Sequence, residues 1–148
     1  MSDCPFCNIL AGDLTGSFAY QDEICTAVMD IQPINDGHLL VMPNEHIPDL
    51  ASLNPEAASH IFLVAQRLAQ AVRESGVQCE GINLFLADGK AAMQQVPHLH
   101  LHIIPRYQDD GFNFQFSPRY FELPTREELD QNAFHIKQAL ANQPPQDQ

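Results

Sequence analysis

Short apolar runs separated by turn signals dominate the chain, and only two stretches carry a helical period. Residues 17–30 (SFAYQDEICTAVMD) predict two short strands about a polar turn at Gln21-Asp22-Glu23. A loop rich in turn residues follows at 31–37 (IQPINDG). Residues 38–42 (HLLVM) form an apolar run of strand length, stopped by Pro43. The clearest helix begins with Asn54 as N-cap, Pro55 in the first helical position and Glu56 against the helix dipole. Ala58, Ile61, Phe62, Ala65, Leu68, Ala69 and Val72 recur at helical spacing, and Gly76 supplies a stop. Residues 81–87 (GINLFLA) and 97–104 (PHLHLHII) predict two further strands, a hairpin whose long loop opens with the turn Asp88-Gly89. A second helix starts at Thr125, which forms a capping box with Glu128 and leads an apolar face of Leu129, Ala133, Ile136 and Leu140. The order strands, helix, strands, helix predicts an α+β fold, with two main helices on a mostly antiparallel sheet.

No repeat or linker interrupts the chain. Its 148 residues are expected to form a single domain with a core at 4–107, a helical extension at 108–141 and a disordered tail at 142–148. With 7 basic against 19 acidic residues, the net charge of -12 argues against a nucleic-acid polymer or a membrane surface as partner. A small anionic ligand stays compatible, because a local pocket can supply the donors. No run approaches the ~20 apolar residues of a membrane span. The start, MSDCPFCNIL, lacks the basic n-region and long apolar run of a signal peptide, so a cytoplasmic location is expected. In such a reducing compartment the four cysteines are not a disulfide framework. Cys25 and Cys79 are expected to be buried packing residues. Cys4-x-x-Cys7 has spacing suited to a metal, to a redox pair or to packed thiols, and a zinc site would need two more ligands.

The densest chemistry is the alternation His98-Leu99-His100-Leu101-His102. On a strand, side chains two apart share a face, so the three imidazoles would line one surface about 6–7 Å apart while the leucines enter the core. A polar solvent face and a pure metal site are two readings of such a pattern. Chemistry is the third: imidazole serves as nucleophile, acid or base near neutral pH, and attack on phosphorus asks mainly for positioning and charge stabilisation.

The run from Gln94 to Arg106 (QQVPHLHLHIIPR) resembles the histidine triad signature, His-x-His-x-His followed by two apolar residues. Three other stretches resemble the same family in order and spacing. They are Cys4-Pro5-Phe6-Cys7-Asn8-Ile9 with Gly12, Asp30-Ile31-Gln32-Pro33 followed by Gly37-His38-Leu39-Leu40-Val41, and Pro43 with His46. The resemblance covers residues 4–107 and leans toward the nucleoside phosphoramidase branch. It implies a histidine-triad fold and cleavage of a nucleoside monophosphate conjugate through a nucleotidyl-histidine; dinucleoside polyphosphate hydrolysis and nucleotide binding with little turnover are the alternatives. His100 would be the nucleophile, supported by His98, His102 and His38. Asp30 and Ile31 would contact ribose and base, Phe6 and Ile9 would wall the base pocket, and Gln94 and Gln95 would approach the phosphate. The implied partners are a purine nucleotide or nucleoside phosphoramidate and a second copy in a homodimer with a continuous sheet. No organic cofactor is implied. Some relatives with the N-terminal pair bind structural zinc, and the matching ligands here are Cys4, Cys7, His46 and His98. Ala87, Met93, Gln95 and Asn44 stand where the family more often carries other residues.

Overall fold

The computed structural model describes residues 3–144, which fall into two compact units, the chain passing from the first to the second between Gly111 and Phe112. The first unit contains α1 (Pro5–Leu10), β1 (Phe18–Gln21), β2 (Cys25–Met29), β3 (Leu39–Pro43), α2 (Pro55–Glu74), β4 (Gly81–Leu86) and β5 (Leu101–Arg106). Its five strands form one sheet in the order β1-β2-β3-β5-β4, and every neighbouring pair is antiparallel. The fold is α+β, as the alternation of strand and helix patterns predicts. No described helix is long and apolar enough to cross a membrane.

Strand alternation divides the sheet into two faces. Cys25, Ala27, Leu39, Val41, Leu101 and Ile103 pack with Ile61, Val64, Ala65 and Val72 of α2 in one buried cluster. Val28, Leu40 and Met42 face the other way and pack with Cys4 and Phe6, on and beside α1. The Asn54 side chain accepts the Ala57 N–H at 2.8 Å, which caps α2 as expected, and Gly76 follows the helix at φ +86°. Phe62 does not join the buried stripe and is 59% exposed, because the sheet covers only the arc centred on Ile61, Ala65 and Val72.

Two elements depart from the sequence expectations. The six residues of α1 are too few to display a helical period. The strand expected from residue 97 begins only at Leu101. Pro97 brings no N–H to a ladder, His98 N–H turns back to the Val96 carbonyl at 2.8 Å, and Leu99 N–H bonds Ile47 O at 2.6 Å. Residues 97–100 therefore enter the sheet from an irregular path, and His98 leaves the strand series.

The second unit holds the 3-10 helix Pro118–Phe121 and α3 (Arg126–Ala141). The capping box is present: Thr125 Oγ1 accepts Glu128 N–H, and the Glu128 carboxylate accepts Thr125 N–H at 2.7 Å. Leu129, Ala133, Ile136 and Leu140 are all exposed, so the expected apolar face of α3 buries none of its members. Asn142 is the C-cap of α3; of the tail expected to be disordered, residues 145–148 lie outside the described residues.

Asp22 clasps the first hairpin to α2. One carboxylate oxygen accepts Tyr20 Oη and His60 Nε2, each at 2.6 Å, and the other accepts the N–H groups of Ile24 and Cys25 at 2.8 Å. Burial opposes the charge, yet these donors outweigh it and hold the carboxyl well below its usual range. A depressed carboxyl contributes stability that is complete above the unfolded pKa and is lost progressively as pH falls from there through the folded pKa. Asp22→Ala should lower unfolding free energy by about 2 kcal/mol at pH 7, the scale of charge-assisted bonds, and by somewhat less near pH 3, where the unfolded carboxyl is protonated and the folded one still ionised. Urea denaturation at the two pH values measures the difference.

Candidate active site

The functional side chains gather on the α1 face of the sheet. His102 lies opposite Leu40 in the β3–β5 register, and His100 precedes the strand with the same parity. His38 ends the loop that leads into β3. Asn35 ties that loop to β5 and the turn beyond it, donating to the Pro105 carbonyl and to Asp110 at 2.8 Å each. Arg106 grips the same carboxylate through two nitrogens. Gly37 sits at φ +86°, where a Cβ would come within 2.9 Å of Val77 Cγ1. These constraints bring His38 Nε2 to 2.9 Å from His102 Nδ1. The rings of His100 and His102 stand 4.8 Å apart, closer than the regular strand spacing predicts.

Backbone groups fix which nitrogen of each ring holds the proton. His100 Nδ1 is 2.8 Å from the His98 carbonyl, which only accepts, so Nδ1 carries the hydrogen and Nε2 the lone pair. His98 Nε2 is likewise 2.8 Å from the Pro43 carbonyl, which leaves Nδ1 as its lone-pair nitrogen. His38 Nδ1 accepts the Ile34 N–H at 3.2 Å. Its proton then sits on Nε2 and is donated to His102 Nδ1, so the proton of His102 resides on Nε2. Burial is the main reason that all four rings resist protonation. His102 is pushed down to about 4 by burial and by the neighbouring His100 and His38. Asp30, whose Oδ2 is 3.5 Å from His38 Nδ1, pulls the other way on His38, His100 and His102.

A second cluster adjoins the first. Cys4, Cys7, His46 and His98 each bring one donor atom to a site where all four lie within 4.8 Å of one another. His98 Nδ1, the lone-pair nitrogen, stands 3.5 Å from Cys4 Sγ and 3.6 Å from Cys7 Sγ, and His46 Nδ1 is 3.3 Å from Cys7 Sγ. Two thiols and two imidazoles with the correct nitrogen inward are the donor set of a closed zinc shell, so the residues fit that metal. Phe6, between the two cysteines, sets its ring edge-on to His98 at 5.8 Å and to His100 at 5.0 Å.

Residues 12–109 match the HIT domain model, a span of more than half the chain. The chain belongs to the HIT family. A HIT family protein from Bacillus anthracis superposes with a TM-score of 0.83 at 38% identity, over 93% of this chain and 97% of that one. A Zn-bound histidine triad family protein from Mycobacterium smegmatis is 38% identical over the same shares, with a TM-score of 0.72. Adenylylsulfatase HINT3 of Arabidopsis thaliana is 29% identical over 143 residues, 97% of this chain and 72% of that protein.

Within this HIT domain the remaining candidates are distributed unevenly. Asp30 Oδ1 accepts the Gln32 N–H at 2.8 Å, and its other oxygen faces His38. Ile31 is 93% exposed, and Ile9 is half-buried beside Phe6. Gln94 is spent on backbone groups of two loops: its side chain accepts Gly89 N–H at 2.8 Å and donates to Pro48 O at 2.7 Å. Gln95 is exposed. Met93 occupies the left-handed conformation at φ 67°, so the place where the family more often has glycine carries backbone strain here. Asn44 bonds Thr26 Oγ1 and the Asp22 carbonyl and so serves the Asp22 clasp. His60 also belongs to that clasp. The groups that the sequence could not reveal are the carbonyls of Pro43 and His98 and the N–H of Ile34, because backbone atoms leave no residue signature.

Four imidazoles with lowered pKa values make an acid-sensitive core. The unfolded chain takes up protons near the ordinary imidazole pKa of about 6.5, while the folded rings refuse them, so stability falls as pH drops through that range. Guanidinium denaturation between pH 8 and 5 should show this decline. An NMR titration should find His102 neutral until about pH 4. A flat stability profile together with an ordinary His102 titration would contradict the assignment.

Proposed function

We propose that this protein cleaves nucleoside monophosphate conjugates, a phosphoramidate or related anhydride, through a covalent nucleotidyl intermediate on His100. The observation that carries this reading is the hydrogen bond from His100 Nδ1–H to the His98 carbonyl, which leaves an unprotonated Nε2 for attack. In the first step Nε2 bonds to the α-phosphorus and the bond to the leaving group breaks. His102 Nε2–H donates a hydrogen bond to the departing group, and His38 Nε2–H donates one to His102 Nδ1 and so orients that ring; an amine already protonated on nitrogen, or the anion of an anhydride, leaves without taking a proton from either ring. In the second step water attacks phosphorus and gives up one proton to solvent, the phosphorus–nitrogen bond breaks with its electron pair returning to His100 Nε2, and the monophosphate is released. Neutral rings at pH 7 suit both the nucleophile and the hydrogen-bond donors beside it.

Phe6 and Ile9 form the apolar wall for the base, Ile31 offers an uncovered apolar side chain toward it, and Asp30 holds the ribose. Gln95 is the amide left to meet the phosphate, since Gln94 is engaged by the backbone of Gly89 and Pro48. The adenylylsulfatase relative supports a cleavable nucleoside monophosphate conjugate and lends support to a purine base. Cys4, Cys7, His46 and His98 would hold structural zinc, a reading supported by the zinc-bound relative. Strand β4 ends the sheet with β5 as its one neighbour, and exposed Phe62 of α2 lines one surface hollow with exposed Leu84 of that strand. Pairing with the β4 of a second copy in a homodimer would cover both.

Incubation with adenosine 5′-phosphoramidate should release the monophosphate. His100→Ala should lose at least about 4 kcal/mol of transition-state stabilisation, a thousandfold in rate. Equal product from the two proteins would remove His100 from the mechanism.

A further inference from the structure

We infer that the Cys4/Cys7/His46/His98 site is a positioning device for the nucleophile. Occupation of the site by zinc would fix the proton of His100 on Nδ1 and hold Phe6 against its ring. The inference rests on the proposed role of His100 and goes beyond it, because it gives the cysteine site a part in the chemistry.

His98 connects the two clusters through three of its own atoms. Its Nδ1 faces both thiols, its Nε2–H donates to the Pro43 carbonyl, and its backbone carbonyl accepts from His100 Nδ1–H. Residues 97–100 lie outside regular strand pairing, so the sheet ladder does not hold that carbonyl in place. Leu99 N–H, in the same peptide unit, bonds the Ile47 carbonyl, and the side chain of His98 adds the second anchor. A metal on Nδ1 would fix the ring from one side while Pro43 fixes it from the other, and the carbonyl of the same residue inherits the restraint.

The second connection runs through α1. This helix is six residues long, far below the length at which a helix is stable by itself. Cys4 is its N-cap residue, Cys7 lies within it, and Phe6 between them touches both His98 and His100 edge-on. Ligation of both cysteines would therefore hold Phe6, and with it the apolar wall of the base pocket, in register with the nucleophile. When bound, zinc supplies charge neutralisation for two thiolates and a closed four-ligand shell; it takes no part in bond cleavage. With His98 held as a ligand, His100, His102 and His38 are the imidazoles left to act on substrate. Cys4, Cys7 and His46 are positioning residues in this account.

The test uses the full chain loaded with zinc, the same chain after metal removal, and the Cys7→Ser and His46→Ala variants. Three quantities are read on each: bound zinc, the downfield imidazole N–H proton resonance that His100→Ala abolishes, and kcat and KM for adenosine 5′-phosphoramidate. Circular dichroism selects conditions in which the sheet is intact. Metal removal and Cys7→Ser should broaden or erase the resonance. They should lower kcat roughly 10- to 100-fold, the usual effect of losing an outer-shell restraint. KM should rise as Phe6 loosens. Reloading the wild-type chain with zinc or cobalt(II) should restore the resonance and kcat together. A chain that takes up no metal overturns the inference. So does a metal-free chain that keeps both the resonance and kcat, since the site then serves stability alone. If the zinc-loaded wild type turns over no phosphoramidate while its resonance still tracks the metal, the proposed function fails and the coupling stands.

Discussion

One hydrogen bond organises the site: His100 Nδ1–H to the carbonyl of His98. An imidazole has two nitrogens, and only the unprotonated one can attack. Burial keeps the ring neutral, but burial alone does not select a tautomer. A carbonyl can only accept, so its position decides the matter. The same logic recurs at His98, held by the Pro43 carbonyl, and at His38, held by the Ile34 N–H. A chain of assigned protons thus runs from loop backbone through two rings to His102 Nε2.

The fold reads as a frame for those backbone groups. The β3–β5 pairing sets Leu40 opposite His102, which puts His38 and His102 at adjoining positions on one face. Asn35, Asp110 and Arg106 pin the loop before His38 to β5. On the opposite face α2 fills the core, so that the chemical face needs no large helix and is lined by the six residues of α1. The domain therefore separates stability from chemistry by sheet face, and the Asp22 clasp supports the side that carries α2.

Much of this was legible in the sequence. Short apolar runs between turn signals located the strands, and caps at Asn54 and Thr125 located the main helices, since both signals are local. The histidine alternation and its family resemblance pointed to His100, and the spacing of Cys4 and Cys7 pointed to a metal-type site that the structure brings together with His46 and His98. Three things were not legible. A helix as short as α1 has no period to read. The start of β5 at Leu101 depends on how Pro97 and His98 spend their backbone groups, which residue types do not encode. The apolar residues of α3 mark a face without saying what covers it, and they are exposed. Gln94 illustrates the limit of a motif: its position matches the phosphate loop, yet its amide is occupied by Gly89 and Pro48.

The account stands most directly on which atom becomes covalently attached to phosphorus. Nitrogen-15-labelled protein, quenched during turnover of adenosine 5′-phosphoramidate and examined by phosphorus–nitrogen coupling, reports that atom. The account predicts a nucleotidyl adduct on His100, bonded through Nε2. An adduct through Nδ1, an adduct on another histidine, or hydrolysis with no adduct would contradict it.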